Sequence, residues 1–153
     1  MDNQLTISTA TVQDIPALCA LLGILFCQEV EFEADIVAQR RGLSEIITNP
    51  QTGKILVARF DTNVVGMINL LFSVSTALGG KVAWLEDMII HPNWRNRGIG
   101  SSLLETALEH CRAEGMKRIT LLTDSDNLAA QRFYRQHGFS ESKMLPMRCL
   151  LEN

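Results

Sequence analysis

The segment from Val82 to Ala113 restricts the possible folds of this chain more than any other. Val82 to Ile90 is rich in apolar residues and indicates a buried strand, which His91-Pro92 ends because proline cannot continue a strand ladder. After a loop to Arg97, apolar residues recur at helical spacing from about Gly98 to Ala113. A buried strand followed by a long amphipathic helix predicts that the helix packs against a sheet.

The rest of the chain supplies further strands and helices. Apolar and β-branched runs, helical periodicity and turn residues predict, in order, a strand Leu5 to Ser8, a helix capped by Thr11, a helix Ile36 to Thr48, a hairpin of Lys54 to Phe60 with Val64 to Ser75, a strand Arg118 to Thr123, a helix Asn127 to His137 and two strands within Phe139 to Leu151. The expected fold class is α/β (α+β), with a mixed, mostly antiparallel sheet of six to seven strands and about four helices on both faces.

Composition narrows the class of protein. A length of 153 residues with 46% apolar content predicts one domain, residues 1–153. The net charge is -3 and no Lys or Arg run exceeds Arg40-Arg41, so we expect no nucleic-acid partner. The apolar run Ala17 to Phe26 is shorter than the roughly 20 residues that cross a bilayer, and no Lys or Arg precedes it. A cytoplasmic protein without a membrane anchor is therefore expected. Its cysteines and histidines lack metal-ligand spacing, which predicts no metal.

The sequence Arg95 to Gly100 lies between the buried strand and the long helix. Unpaired backbone N–H groups and the helix dipole favour an anion at such a helix start. The two glycines of this turn, Gly98 and Gly100, let a phosphate approach the main chain, and its two arginines add positive charge. Ser101 and Ser102 place hydroxyl groups in the first helical turn. The turn therefore predicts a pyrophosphate-binding site.

Two alternatives to this interpretation exist. Glycines also permit a tight strand-to-helix turn without binding anything. A dinucleotide-binding fold is the other alternative, because Asp124 follows the next strand at about the distance of a ribose-binding acid. Against it, Leu103 replaces the third glycine of that fingerprint, and too little chain remains for two mononucleotide-binding halves.

Two separate motifs resemble a known family. Leu85 to Pro92, followed by R-x-x-G-x-G at Arg95 to Gly100, resembles the acetyl-CoA-binding core of the GNAT superfamily of N-acetyltransferases. Asn127 to Tyr134, followed by Gly138-Phe139, is similar to the family's N-x-x-A-x-x-F-Y segment and its trailing G-F. With the order of elements, the resemblance covers nearly the whole chain.

The resemblance implies where acetyl-CoA, as co-substrate, is bound. The fourth strand should splay from the fifth, and the pantetheine arm should enter this wedge like an extra strand. Main-chain groups on the fourth strand would bind the arm, and amides at the helix start would hold the pyrophosphate. The implied acetyl-CoA-binding residues are Met88, Ile89, Ile90, Arg95, Asn96, Arg97, Gly98, Ile99, Gly100, Ser101, Asn127 and Ala130.

The acceptor amine must lose a proton before it can react. An alkylammonium has a pKa of about 10.4, so at pH 7 well under about 1% is the neutral nucleophile. Glu86, beside the expected thioester, is the candidate general base, directly or through a water; its alternative role is to solvate the sheet. Alternation along the strand predicts that Asp87 faces the opposite side, unless a bulge turns it toward the substrate.

The later steps need groups that stabilise charge. The amide of Met88 could stabilise the oxyanion. Tyr134 matches the family's general acid for the departing thiolate, and packing alone is its alternative role. No cysteine occupies a position expected for a covalent acyl intermediate, which favours direct attack in a ternary complex.

The acceptor side of the expected site is acidic. Glu29 to Asp35 borders the acceptor site in similar enzymes, and carboxylates there would attract a cationic amine; a solvated loop is the alternative. We assign Glu29, Glu33 and Asp87 as candidate substrate-binding residues. The Glu86-Asp87 pair also resembles that of the diamine acetyltransferase branch, which favours a small amine.

These observations leave three candidate functions for the chain. The first is acetyl transfer to the primary amine of a small molecule. The second is acetylation of a protein N-terminus or lysine, which requires an open groove, and the third is a non-catalytic sensor that binds an acyl-CoA. Because relatives often dimerise through their C-terminal strands, the resemblance also allows a homodimer.

Overall fold

The computed structural model describes residues 4–28 and 35–152 of the chain, which divide into two compact units, one up to Leu122 and one from Thr123. The strands of the first unit are β1 (Leu5–Thr9), β2 (Gly53–Phe60), β3 (Asn63–Ser75), β4 (Gly80–Ile90) and β5 (Ile119–Leu121). Its helices are α1 (Ile15–Gln28), α2 (Ile36–Thr48) and α3 (Ile99–Ala113). Within the described residues, no helix combines the length and apolar character that a membrane span requires.

The strands of the first unit form one mixed sheet in the order β1-β2-β3-β4-β5. Neighbouring strands from β1 to β4 are antiparallel, while β4 and β5 are parallel. The parallel pair is the one whose connection contains α3, because parallel strands need a crossover to return the chain to the same end of the sheet. The predicted mixed, mostly antiparallel sheet is confirmed.

Helices cover both faces of this sheet. Alternate residues of the central strands, including Val57, Met67 and Ile89, pack in one buried cluster with side chains of α1 and α2. The intervening residues face the other way, where α3 packs against β2, β3 and β4. Leu103, at the centre of the apolar stripe of α3, is fully buried. The period of two in the strands therefore separates an α1/α2 face from an α3 face.

The start of α1 is tied to the sheet by a buried aspartate. Asp14 accepts a hydrogen bond from the Thr11 amide at 2.9 Å and pairs with the Arg59 guanidinium on β2 at 2.7 Å. The Arg59 hydrogen bond lowers the pKa of the Asp14 carboxyl despite the opposing effect of burial. The predicted cap at Thr11 is confirmed, although the first turn, Val12–Asp14, is a 3-10 turn.

The second unit contains α4 (Leu128–Gln136), which ends before Gly138, a residue with φ of 93°. The two strands predicted within Phe139 to Leu151 are wrong: the described residues of that segment form no strand. Its apolar residues suggested strands, but a strand exists only when its backbone pairs with a neighbour, and Pro146 in the middle of the segment has no N–H to donate. The described sheet therefore has five strands rather than six or seven.

Candidate active site

The two candidate carboxylates lie on β4 at an irregularity of the β3–β4 ladder. Asn69 pairs with Asp87 and Leu70 pairs with Leu85, so Glu86 is an extra residue without a partner among the described residues of β3. This arrangement is a β-bulge, which changes the direction of the side chains that follow it. Glu86 is exposed, and Asp87 is half-buried.

The bulge decides which face Asp87 occupies. Strict alternation predicted that Asp87 faces away from Glu86. The alternation of β4 is interrupted at this point, because the bulge adds a residue between Leu85 and Asp87. Asp87 pairs with Asn69, which lies two residues after Met67 on β3, so both share the α1/α2 face with Met67. Leu85, before the bulge, pairs with Leu70 on the α3 face.

Asp87 has one side-chain partner and an unusual acidity. The Asn69 Nδ2 group donates a hydrogen bond to Asp87 Oδ2 at 3.0 Å. Burial raises the pKa of Asp87 to about 6, and the neighbouring charge of Glu86 raises this pKa further, while the Asn69 hydrogen bond lowers it. A carboxylate with such a pKa is a stronger base than an ordinary one, yet it is still mostly ionised at pH 7.

The ladder between β4 and β5 is short. It joins Ala83 to Ile119, Trp84 to Thr120 and Leu85 to Leu121. From Glu86 to Ile90, β4 continues beyond this pairing, and among the described strands only β3 accompanies it there. The five residues that carry the candidate carboxylates therefore follow the point at which β4 and β5 cease to pair.

The start of α3 receives no cap from the side chain of its own N-cap residue. Its N-cap is Gly98, whose φ of 77° lies in the left-handed region that glycine adopts without strain. The first helical bond runs from the Ser102 amide to the Gly98 carbonyl at 3.1 Å, so the amides of Ile99 and Gly100 precede the helical ladder. With no acidic residue in the first turn, this end presents amides and a positive dipole.

The loop before α3 is held by its own arginines. Arg95 Nε donates to the Ile90 carbonyl at 3.0 Å, and the Arg97 guanidinium lies 4.8 Å from the ring centroid of Trp94. Trp94 in turn contacts the Phe60 ring at 4.6 Å between centroids. Both arginines are exposed, so they retain charged surface near the start of α3. Asn96 has a φ of 63°, which completes the turn into Gly98.

The predicted residues of the second unit lie on or beside α4. Asn127 is the N-cap, and its Oδ1 accepts a hydrogen bond from the Ala130 amide at 3.1 Å. This capping role is one that the sequence motif alone did not suggest. Tyr134 packs edge-on against Phe133 and Phe139, and burial raises the pKa of Tyr134 to about 12. Its phenol is therefore protonated at neutral pH.

Glu29 and Glu33 lie outside the described residues. The residue that sequence reasoning missed is Asn69, a polar side chain within the apolar run of β3 that is only 3% exposed. A single amide in an otherwise buried apolar strand was the available signal, because buried polar groups need partners. Within the described part of the chain, no group of three or more His, Cys, Asp or Glu side chains is arranged to hold a metal ion.

The strand, turn and helix just described coincide with a family match. Residues 22–139 match the family model described as the Acetyltransferase (GNAT) family. The match covers well over half of the 153 residues and includes β4, the loop and α3. The chain belongs to the GNAT family.

Individual relatives of this GNAT protein agree with the family match. An aminoalkylphosphonate N-acetyltransferase of Salmonella typhimurium is 29% identical over 133 residues, which cover 87% of this chain and 83% of that protein. A crystal structure described as a possible acetyltransferase from Clostridium difficile 630 has a TM-score of 0.87 at 18% identity, covering 97% of this chain and 99% of that one.

A third similar structure contains CoA. It is an aminoglycoside N-acetyltransferase in complex with CoA, with a TM-score of 0.82 at 16% identity, covering 99% of this chain and 97% of that one. The predicted GNAT fold is confirmed by these structures, and the family confirms that the chain is an acetyl-CoA-dependent N-acetyltransferase.

Proposed function

We propose that this acetyltransferase transfers the acetyl group of acetyl-CoA to the primary amine of a small molecule. The observation that carries the proposal is the arrangement at the C-terminal end of β4. There the β4–β5 pairing has stopped, two adjacent carboxylates follow it, and the chain then enters α3 through a glycine N-cap. One short segment thus offers an opened strand edge, a base and an anion site. We propose further that residues 1–153 act as a single domain.

The start of α3 is suited to the diphosphate of CoA. The amides of Ile99 and Gly100 precede the helical ladder, and a side chain added at Gly98 would meet no atom within 4 Å, so the main chain can be approached closely. Arg95 and Arg97 add positive charge beside it. The pantetheine arm would follow β4 along Met88, Ile89 and Ile90. The remaining proposed contacts are Asn96, Ser101, Asn127 and Ala130.

The Glu86–Asp87 pair supplies the base in this proposal. A carboxylate removes a proton from the ammonium, directly or through a water, and the neutral amine then attacks the thioester carbonyl in a ternary complex. The attacking nitrogen gives its second proton to solvent as the thiolate leaves and the amide forms. The sequence favoured Glu86 for this step. The bulge and the burial of Asp87 make the second carboxylate a further candidate, because its pKa of about 6 makes it a stronger base than an ordinary carboxylate.

Tyr134 is the proposed donor of the proton that the departing thiolate receives. Burial raises its pKa to about 12, which keeps the phenol protonated and also makes it a weaker acid than an ordinary tyrosine. A thiol has a pKa of about 8.5, so transfer of a proton from this phenol to the free thiolate is uphill. We therefore expect Tyr134 to contribute less to the rate than the base does.

A cationic small molecule fits the charge of the acceptor side. Glu86 and Asp87 attract an ammonium group, and Glu29 and Glu33 would add to this attraction in the acidic segment. The similar protein from Salmonella typhimurium is named for aminoalkylphosphonates, which are small amines. These two points support a small amine over a protein N-terminus or lysine.

The proposal includes a homodimer formed through the C-terminal segment. Large apolar side chains there are at least 82% exposed: Met144, Leu145, Met147, Leu150 and Leu151. Exposed apolar surface of this kind is typical of an interface. Light scattering of the full chain should give about twice 17.0 kDa, and a mass of 17.0 kDa would contradict the dimer.

The cytoplasmic location expected from the sequence stays a prediction.

A panel of acceptors tests the proposed function. Release of free thiol from acetyl-CoA is measured with polyamines, aminoalkylphosphonates, aminoglycosides, amino acids and peptides. We expect turnover with at least one class of small primary amine. Turnover with peptides alone would favour a protein acetyltransferase, and tight acetyl-CoA binding without any turnover would favour a sensor; both results contradict the proposal.

A further inference from the structure

We propose that Asn69 is a positioning residue that holds Asp87 as the acceptor of the substrate's proton, and that the amide of Asn69 serves both protonation states of that carboxyl group. This inference rests on the proposed function, since it assigns the proton transfer to one of the two carboxylates. It adds a residue of β3 to a site otherwise built on β4, the loop and α3.

Asn69 is buried, and its side chain makes its hydrogen bond to Asp87. It is only 3% exposed and lies in an apolar stretch of β3, opposite Asp87 in the ladder. Its Nδ2 donates to Asp87 Oδ2 at 3.0 Å. Its Oδ1 is buried and has no hydrogen-bond partner among the described residues.

An unsatisfied buried carbonyl oxygen is costly, so it needs an explanation. A side-chain amide carries a donor on one side and an acceptor on the other. An ionised Asp87 accepts from Nδ2, as in the structure. A protonated Asp87 becomes a donor, and a half-turn of the Asn69 amide presents Oδ1 to receive that hydrogen bond. The oxygen without a partner is thus the group that the second protonation state uses.

Few charges compete for Asp87. Three elements pack against β4 or pair with it on its neighbouring sides: β3, β5 and α1. None of these three contains a charged residue. The acidic and basic residues of α3, among them Glu105, Glu109, His110 and Arg112, belong to the helix on the opposite face of the sheet. Glu86 is the charged neighbour that acts on the carboxyl, and its charge raises the pKa of Asp87. The Asn69 hydrogen bond opposes that effect.

The proposed step is a single proton transfer. The N–H bond of the substrate ammonium breaks, its electron pair stays on nitrogen, and an O–H bond forms on the Asp87 carboxylate. The neutral amine is then the nucleophile. After product leaves, Asp87 returns the proton to solvent and Asn69 donates to the carboxylate again. No oxidant, reductant or further reactant is required.

Replacing the amide tests this role through the pH profile of kcat/KM. In Asn69→Leu the hydrogen bond that lowers the pKa of Asp87 is lost, so the acidic limb of the profile should move up from about 6 by about one pH unit. Activity should then fall about fivefold at pH 6 and little at pH 9. Asn69→Thr keeps a donor and an acceptor, and its limb should return toward that of the wild type.

The matched control is Gln39→Leu. Gln39 is a second buried amide, 8% exposed, whose Nε2 has no partner among the described residues, but it lies on α2 rather than on the strand that pairs with β4. The control should leave the limb unchanged. A limb that stays in place in Asn69→Leu, or moves as far in Gln39→Leu, overturns the assignment.

A titration of the wild-type protein without ligands tests the same pair independently of catalysis. Carboxyl carbon NMR should place the titration of Asp87 near pH 6, and the side-chain amide resonances of Asn69 should move with the same midpoint. Amide resonances that do not follow Asp87 would refute the inference, even if the substituted proteins fail to fold. Failure of the acceptor panel with this titration intact would refute the proposed function alone.

Discussion

Helices α2 and α3 begin in opposite ways. At α2, the Asp35 side chain accepts hydrogen bonds from the amides of Val37 and Ala38 at 3.0 and 3.1 Å. At α3, the N-cap is Gly98, which has no side chain that could accept such bonds. Both helices have an amphipathic pattern, so the difference lies in what their first amides bind. The Asp35 side chain satisfies the start of α2, whereas the glycine N-cap of α3 leaves its first amides open to the diphosphate of the proposed CoA site.

Two aspartates show a similar contrast between a carboxylate that stabilises the fold and one that we propose for catalysis. At Asp14, the Arg59 hydrogen bond lowers the pKa, so the carboxylate stabilises the fold above the unfolded pKa of about 3.8, and this stabilisation is lost as the pH falls through the lowered value. At Asp87, burial raises the pKa to about 6, so ionisation destabilises the fold above that pH, and the penalty vanishes below about 3.8. A group that weakens the fold at neutral pH indicates a functional role.

Removing the charge of Asp87 should have the largest effect on kcat/KM. We expect Asp87→Asn to lower kcat/KM by about 100- to 1000-fold because the proton acceptor is gone. The same substitution should raise the free energy of unfolding at pH 8 by about 2–3 kcal/mol, an upper value, and leave it unchanged at pH 3.5. Thiol release and thermal unfolding at the two pH values measure both effects.

The matched control for that prediction is Asp14→Asn. It breaks the Arg59 pair, so it should lower the free energy of unfolding at pH 8 by about 2 kcal/mol with little change in kcat/KM. If Asp87→Asn also destabilised the protein at pH 8, or kept full activity, the two aspartates would not differ as we describe.

A charge placed at the start of α3 should have the next largest effect. Gly98→Asp and Gly98→Asn share the backbone cost of a side chain at a φ of 77° and differ only in charge. We expect the aspartate to weaken CoA binding about 100-fold, because it repels the diphosphate, and the asparagine to weaken it less than about tenfold. Calorimetric titration with CoA measures both. If both variants bound CoA with equal affinity, the diphosphate would not lie at the start of α3.

The smallest expected effect is at the capped helix. Asp35→Ala removes the side chain that satisfies two amides of α2, which should lower the free energy of unfolding by about 1 kcal/mol. Affinity for CoA should not change, because the start of α2 has no part in the proposed CoA site. Denaturant unfolding and calorimetry test this pair of expectations. If Asp35→Ala lost as much CoA affinity as Gly98→Asp, the proposal that only the start of α3 binds CoA would be wrong.

Much of the fold followed from local sequence patterns. The bounds of α2 were predicted as Ile36 to Thr48 and are confirmed, because a clear apolar period lies between a capping residue and Asn49-Pro50. The Gly98 turn was equally clear. Phe139 to Leu151 was not, since apolar content there favoured strands and the absence of a pairing partner is not visible in a local pattern.

The sequence predicted which residues form the candidate site, but not which way their side chains point. Glu86 and Asp87 were identified on β4, yet which of them is half-buried depends on a bulge that no single-strand pattern shows. Asn69 contacts Asp87 from a different strand, 18 residues earlier in the chain, so only the register of β3 against β4 brings the two together. Register is a tertiary property, set by the packing of whole faces.

The location of acetyl-CoA in a crystal structure of its complex with this protein is the most direct test of the account. We expect the diphosphate against the amides of Ile99 and Gly100, and the thioester beside β4 beyond Leu85, on the side where Asp87 can reach an incoming amine. A co-substrate bound away from the start of α3, or a thioester remote from Glu86 and Asp87, would contradict it.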